Sequence, residues 1–153
     1  MSIFILINTL NKYTLVLQRL YVVDELEAWN PNLRSKTAIR TKNTRYLVDP
    51  SIATSALGVT PENIFMDMNT FGFLFENLAI RDLKVYCDCM NAHLYHYRDK
   101  LGREADAVIQ FNDGNYALIE IKLCDESEID LAAQKLIKLA EKILMRKRKS
   151  QPL

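Results

Sequence analysis

Two short apolar runs joined by a tight loop constrain the fold of this chain more than any other feature. Residues 106–111 and 116–123 each have the length of a β-strand, and residues 112–114 read Asn-Asp-Gly. This loop fits a three-residue hairpin, in which a type I turn is followed by glycine in the left-handed conformation. In that register Phe111 faces Asn115. The sequence therefore predicts an antiparallel strand pair.

The hairpin register brings three ionisable side chains onto one face. Counting outward from the loop places Asp106 opposite Glu120, and opposed residues of an antiparallel pair point to the same face. Lys122, two residues beyond Glu120, joins them. The remaining positions on both faces are largely apolar, so we expect a helix packed on each side of the pair. Charges buried in this way need partners or a metal ion.

These three residues have the chemistry of a metal site that acts on phosphate. Two carboxylates suit Mg²⁺, which prefers oxygen ligands and retains several waters. The metal can activate a water molecule, and a nearby lysine can orient that water or neutralise an oxyanion. Asp106 and Glu120 are therefore predicted metal ligands, and Lys122 is the predicted phosphate-orienting or water-orienting group. The alternative is a structural network in which the three charges only balance one another.

Glu76 is a fourth candidate member of this site. It lies within a predicted helix that Thr70 caps and that extends to about Leu83, on a stretch that is apolar nearly all round. Its carboxylate is therefore expected either to point toward the site or to be paired. An ion pair with Arg81 or Lys84 is the competing interpretation.

Helix start and stop signals divide the middle of the chain. Asp49 followed by Pro50 predicts the start of a helix, which Gly58 ends, and Thr60 followed by Pro61 repeats the start signal. Elsewhere the pattern predicts a helix at 3–20, extended segments at 21–29 and 34–48, a strand at 94–98 and a helix at 127–146. The inward positions predicted for this last helix are Ile129, Ala133, Leu136, Ala140 and Ile143.

Composition is that of an ordinary globular protein. The chain has 153 residues, of which 49% are hydrophobic, and a formal net charge of +1, so no global field attracts it to nucleic acid or to a membrane surface. No apolar run is long enough to span a bilayer. Three cysteines without a repeated spacing are typical of reduced thiols. We therefore expect a soluble, cytoplasmic protein with no membrane partner.

One local stretch is strongly basic. Five cations without an intervening acid occur at Arg34, Lys36, Arg40, Lys42 and Arg45. Such a stretch can contact the phosphates of DNA, as the wing of a winged helix does. A solvated loop is the alternative.

The ionisable residues together resemble the active-site motif of the PD-(D/E)xK nuclease superfamily. In that superfamily a helix acid, a strand aspartate and a Glu-x-Lys on the next strand bind metal and phosphate, which here match Glu76, Asp106, and Glu120 with Lys122. Ala105 occupies the place of the usual proline. The resemblance implies a restriction-endonuclease-like α/β fold, with a mixed sheet flanked by helices, and Mg²⁺-dependent chemistry on DNA.

A closer resemblance extends over most of the chain. Residues 44–50, 71–77 and 97–106, taken in that order, are similar to the restriction-endonuclease-like C-terminal domain of an uncharacterised group of bacterial AAA+ ATPases. By that resemblance, residues 1–45 are a partial winged-helix-like segment and 46–153 the nuclease-like domain. No Gly-x4-Gly-Lys-Ser/Thr phosphate loop is present, so a family member without its ATPase core is expected.

Two functions of different classes remain open. The first is a metal-dependent nuclease-like domain that binds or cleaves DNA. The second is a non-catalytic module that docks nucleic acid or a partner protein, such as the ATPase half. In either case the N-terminal helix of an incomplete winged helix is expected to expose apolar residues, which a homodimer would cover.

Overall fold

The computed structural model describes residues 3–31, 42–123 and 126–150. In this part of the chain the fold is mixed α/β. The elements in chain order are α1 (Ile3–Arg19), β1 (Val23–Leu26), β2 (Thr44–Leu47), α2 (Pro50–Leu57), α3 (Pro61–Met66), α4 (Met68–Cys89), β3 (Ala92–Arg98), β4 (Glu104–Phe111), β5 (Tyr116–Ile119) and α5 (Glu126–Ser150).

The chain folds as two compact units. The first unit comprises residues 1–25 and 45–78, and the second comprises residues 26–44 and 79–153. The division of the sequence into 1–45 and 46–153 stays a prediction. Within the described stretches, no helix combines the length and the apolarity that crossing a bilayer would require.

The helix signals of the first unit act as the sequence predicts. Asp49 accepts a hydrogen bond from the Ser51 amide at 2.8 Å, Pro50 is the first residue of α2, and Gly58 ends the helix at φ 62°. Thr60 and Asn63 form a reciprocal capping box at the start of α3. Local side-chain chemistry is sufficient to set these boundaries, because each cap satisfies backbone groups that the helix itself leaves free.

Helix α1 confirms the expectation that apolar residues would be exposed near the N-terminus. Leu10 and Leu20 are 60% and 64% exposed, and Tyr13, Val16 and Leu17 are exposed as well. Polar residues such as Asn11 and Lys12 lie between these apolar positions. The homodimer that would cover this face stays a prediction.

Helix α4 is longer than the sequence pattern predicted. It begins at Met68 and ends at Cys89, whereas the prediction began at the capping residue Thr70 and ended near Leu83. The predicted cap was wrong because Asp67 performs that role: its carboxylate accepts hydrogen bonds from both the amide and the hydroxyl of Thr70. The extension past Leu83 is held by apolar packing, since Cys87 is buried.

The second unit is built on a three-stranded sheet with the order β3-β4-β5. Both neighbouring pairs are antiparallel. The β4–β5 register is the predicted one, with Gln110 opposite Tyr116 and Ala107 opposite Ile119. The Phe111 amide donates to the Asn115 carbonyl at 2.9 Å, as the three-residue loop requires.

A helix covers each face of this sheet, as predicted. On one face Val108 packs in a buried cluster with Leu139 and Ile143 of α5. On the other face Ile109 packs with Cys87 of α4, and Leu83 adds to the same cluster. Alternation along β4 therefore sends successive residues into two different cores.

Two details of the second unit correct the sequence predictions. Strand β5 ends at Ile119 and does not continue to residue 123. In α5 Ile143 is buried and Leu136 packs against the same cluster, as predicted. Ile129 is 50% exposed and Ala133 is also exposed, and the buried Leu139 was not predicted. The helix is apolar at many positions, so its periodicity alone identified only part of the buried face.

A buried histidine ties the segment after β1 to the sheet. His96 donates its amide to the Glu27 carbonyl at 2.9 Å and accepts the Trp29 amide at 2.7 Å. Its Nε2 lies 3.1 Å from the Lys42 carbonyl oxygen, which can only accept, so Nε2 carries the proton. Burial lowers the pKa of His96 below 6.5, and the nearby Arg98 lowers it further, although the Lys42 carbonyl opposes the shift.

Acidification should therefore weaken the fold through His96. Because the folded state favours the neutral ring, this contribution to stability is present above about pH 6.5 and is lost as pH falls toward the lower folded pKa. The His96→Gln variant keeps a donor for the Lys42 carbonyl but does not titrate. Its free energy of unfolding, measured by urea denaturation between pH 7.5 and pH 5, should fall less than that of the wild type.

The chain contains one matched control, the exposed His93. His93→Gln should leave the pH dependence of unfolding as it is in the wild type. An equal flattening in both variants would contradict the assignment of the effect to His96.

Candidate functional site

The predicted site residues of the hairpin come together at the end of β5. Asp106 lies on β4, and the next pair outward from Ala107 and Ile119 in the same register is Asp106 and Glu120. Asp106 Oδ2 accepts a hydrogen bond from the Ile121 amide at 2.8 Å. The Asp106 carboxylate is thus the acceptor for a backbone amide just beyond the end of β5. This hydrogen bond holds residues 120–122 next to Asp106.

Glu120 and Lys122 form an ion pair in this site. Lys122 Nζ lies 3.0 Å from Glu120 Oε1, and the two side chains are 45% and 19% exposed. Burial is the largest influence on Glu120 and raises the pKa of its carboxyl above 4.5. Asp106 and Glu104 raise this pKa further, whereas Lys122 lowers it. The lysine therefore does not fully compensate the charge of Glu120.

An open cleft of about 650 Å³ lies between this site and helix α5. Glu120 and Lys122 line one wall, together with Arg103 and Glu104 of the strand side. The α5 wall is lined by charged residues and by apolar ones, namely Glu128, Leu131, Ala132, Lys135, Leu136, Lys138, Leu139 and Lys142. Cations outnumber acids along the lining, five to three, in a chain whose overall charge is close to zero.

The strand wall of the cleft has most of its charges already paired. Arg103 forms an ion pair with Asp99, whose pKa is lowered by its hydrogen bonds to Arg103 and Leu101 despite the opposing effect of burial. Glu104 lies 3.6 Å from Arg98. The exposed lysines of α5 differ, because among the described residues no carboxylate forms an ion pair with Lys135, Lys138 or Lys142.

The donor set fits a hard cation that keeps several waters. Asp106 and Glu120 would supply two carboxylates, which suits Mg²⁺ better than a metal that demands a complete set of protein ligands. Among the described residues, no group of three or more histidine, cysteine or acidic side chains is arranged to hold a metal ion. A metal held here would therefore take most of its ligands from water or from a bound phosphate.

Glu76 belongs to the first unit, whereas Asp106, Glu120 and Lys122 belong to the second. Its Oε1 accepts a hydrogen bond from the Tyr46 hydroxyl at 2.8 Å. The next residue, Asn77, is buried and bonds both the amide and the carbonyl of Leu47, at 2.9 and 2.8 Å. These contacts attach the turn of α4 that contains Glu76 to strand β2. The role of Glu76 as an accessory acid stays a prediction.

The predicted basic stretch is only partly described. Arg34, Lys36 and Arg40 lie outside the described residues. Arg45 Nε lies 3.2 Å from Glu25 Oε1, so its charge already has a partner within the first unit. Lys42 is exposed. Its backbone carbonyl is the group that contacts His96.

Sequence reasoning missed the row that Lys135 and Lys138 form with Lys142 on the α5 wall. Lys135, Lys138 and Lys142 are spaced by three and four residues, which places them on one face of a helix. That spacing was available from the sequence. It was overlooked because the helix was judged by its apolar positions, and the facing acids become apparent only once the hairpin and α5 are packed together.

Comparison with known proteins identifies the family. Residues 71–151 match a family model described as a domain of unknown function, DUF4143. This match spans more than half of the 153 residues, so the chain belongs to the DUF4143 family. Residues 5–63 match a second domain of unknown function, DUF8612. No curated protein and no solved structure matches the chain.

The incomplete compensation of Glu120 leads to a stability prediction. Because its folded pKa is raised, the fold favours the protonated form, and stability is lost as pH rises from about 4.5 through the folded pKa. The neutral isostere Glu120→Gln should therefore be more stable than the wild type at pH 7 in EDTA. The difference should disappear below pH 4.5, where the wild-type carboxyl is protonated as well.

Two further variants make this measurement decisive. Lys122→Met removes the attraction in a partly exposed pair and should lower stability by about 1 kcal/mol or less. Glu141→Gln, an exposed carboxylate of α5 outside the cleft lining, should have little effect. If Glu120→Gln and Lys122→Met lower the free energy of unfolding equally at pH 7, the residues form a closed structural network.

Proposed function

We propose that this domain binds a divalent cation, Mg²⁺ in the cell, at Asp106 and Glu120 and uses it in phosphodiester chemistry on DNA. The observation that carries this proposal is the position of the Glu120–Lys122 pair at a cleft with a cationic lining, next to a second carboxylate. Two carboxylates brought together without enough positive charge form an arrangement that a divalent cation would relieve.

The chemistry assigned to each residue follows from its position. Bound Mg²⁺ would supply Lewis-acid stabilisation of phosphate charge and a more acidic water. Glu120, half-buried and beside Asp106, would provide the negative charge that holds the cation. Lys122 is 45% exposed at the cleft. Its ammonium could therefore turn from Glu120 toward a phosphate oxygen once the Glu120 carboxylate binds the cation. Glu76 is retained as a proposed accessory acid.

The resemblance to C-terminal domains of AAA+ ATPases supports a setting for this activity. The resembling segments 71–77 and 97–106 fall within the DUF4143 match. The restriction-endonuclease-like fold and the ATPase association are therefore part of the proposal. In this setting the domain acts on DNA that an ATPase partner delivers or remodels, and the described basic residues Lys42 and Arg45, with Arg34, Lys36 and Arg40, are proposed additional DNA contacts.

One observation favours a second function. The 3.0 Å contact between Lys122 and Glu120 already gives Glu120 a cationic partner, as expected for a non-catalytic module that retains the ancestral charges. Such a module would dock nucleic acid or an ATPase partner without cutting. The two functions make different predictions for metal binding, because a closed ion network gains nothing from a cation.

Metal binding should raise thermal stability, because a ligand that binds only the folded state stabilises it. At a hundredfold excess over the dissociation constant the gain is about 2.7 kcal/mol, which corresponds to a rise in Tm of several degrees for a domain of this size. Thermal melts with millimolar Mn²⁺ or Mg²⁺ should show this rise in the wild type. Asp106→Asn and Glu120→Gln should abolish it, and Lys122→Met should retain it.

The asparagine variant is preferred to alanine at position 106. It keeps an oxygen that can accept the Ile121 amide, so a lost metal response would not reflect a lost backbone contact. Glu128→Gln serves as the control for a cleft carboxylate outside the proposed metal site. A wild type that shows no shift at millimolar Mn²⁺ would sink the metal site and leave the non-catalytic module as the better account.

A further inference from the structure

Three lysines of helix α5 form a row along one wall of the cleft. Lys135, Lys138 and Lys142 all line it, and all three are exposed. They occur at intervals of three and four residues, so they lie on the same helical face. Since no carboxylate among the described residues pairs with them, these ammonium groups can bind an anionic ligand in the cleft.

The length of the row matches a short piece of a nucleic-acid strand. At about 1.5 Å of rise per residue, the separation of seven positions between Lys135 and Lys142 corresponds to roughly 10 Å of the helix axis. Successive nucleotides of one strand of B-DNA advance by about 3.4 Å. Three lysines on this span can therefore contact about three successive phosphates, with their flexible stems adjusting to the backbone.

We propose that Lys135, Lys138 and Lys142 bind the phosphodiester backbone of nucleic acid and guide it along α5 toward Glu120 and Lys122. The proposal deepens the proposed function and rests on it for the choice of DNA as substrate. The binding surface itself requires no metal, because the cations are supplied by the protein. It also requires no contact with base edges, so binding is expected to be independent of sequence.

The regular spacing of the lysine row favours a linear phosphate chain over an acidic protein. An acidic peptide would present its carboxylates to the row at irregular spacing. A nucleic-acid strand has one phosphate per nucleotide at regular spacing, and it has a phosphodiester to place at Lys122 once the lysine row has fixed the register of the neighbouring phosphates. A cleft of about 650 Å³ has room for only a short segment of such a strand.

Salt dependence of binding measures the proposed contacts directly. Each phosphate contact contributes about 0.9 to the slope of log affinity against log salt for duplex DNA and about 0.7 for a single strand. Fluorescence anisotropy in EDTA, with a labelled single-stranded 20-mer and the matching duplex, gives this slope between 50 and 200 mM NaCl. The triple variant Lys135→Gln, Lys138→Gln, Lys142→Gln should reduce the slope by about 2.7 for duplex or about 2.1 for single strand.

The same contacts predict the loss of affinity. Three duplex contacts change affinity by about 40-fold over a fourfold change in salt, so wild type and variant should differ most at 50 mM and converge toward 200 mM. The control is a charge-matched triple variant at exposed positions outside the cleft lining, Lys12→Gln, Arg19→Gln and Lys100→Gln. It should retain the wild-type slope. Circular dichroism confirms that both triple variants are folded.

Each remaining outcome decides the proposal. Equal slopes in the wild type and the α5 variant, or no binding of either oligonucleotide at 50 mM salt, would overturn it. Competition by poly-glutamate as strong as that by unlabelled oligonucleotide would assign the row to an acidic protein instead. Asp106→Asn and Glu120→Gln should still bind the oligonucleotides in EDTA. If the wild type binds them but shows no rise in Tm with Mn²⁺, the metal site alone is rejected. If Mn²⁺ raises the Tm but the α5 triple variant keeps the wild-type salt slope, the lysine row alone is rejected.

Discussion

The register of β4 against β5 is the constraint on which the second unit depends. Side chains alternate between faces with a period of two, so a slip of one residue would exchange the two cores. It would move Val108 away from α5 and Ile109 away from α4. The same slip would separate Asp106 from Glu120. The loop at residues 112–114 sets this register locally, and Asp106 secures its far end by accepting the Ile121 amide at 2.8 Å.

Charge balance at the end of β5 decides what the site favours. Glu120 loses solvation on burial and meets two like charges, while one ammonium at 3.0 Å attracts it. The pKa of Glu120 is raised in sum, so the unfavourable influences outweigh Lys122. On the proposed function, a divalent cation at Asp106 and Glu120 would relieve this imbalance.

Local chemistry was predictable from sequence, and choices that depend on packing were not. The caps at Asp49 and Thr60 and the hairpin loop involve residues within a few positions of one another, so their signals are complete in the sequence. The buried face of α5 was predicted only in part, because exposed apolar residues such as Ile129 compete with the buried Leu139. Asp67 was missed as the cap of α4 because it shares the start region with Thr70, and only the geometry shows which oxygen accepts.

The acids Glu104 and Glu120 and the lysine row of α5 have opposite effects on a phosphate that approaches the cleft. Glu104 and Glu120 repel a phosphate, and the repulsion is strongest where Glu120 is least solvated. The exposed lysines of α5 attract it at the opposite wall. Without a cation, a strand on the lysine row would be held away from Glu120. On the proposed function, a cation on Asp106 and Glu120 would lower the repulsion and would free Lys122 from its partner. On the proposed function, the metal would thus control whether a bound strand reaches the reacting position.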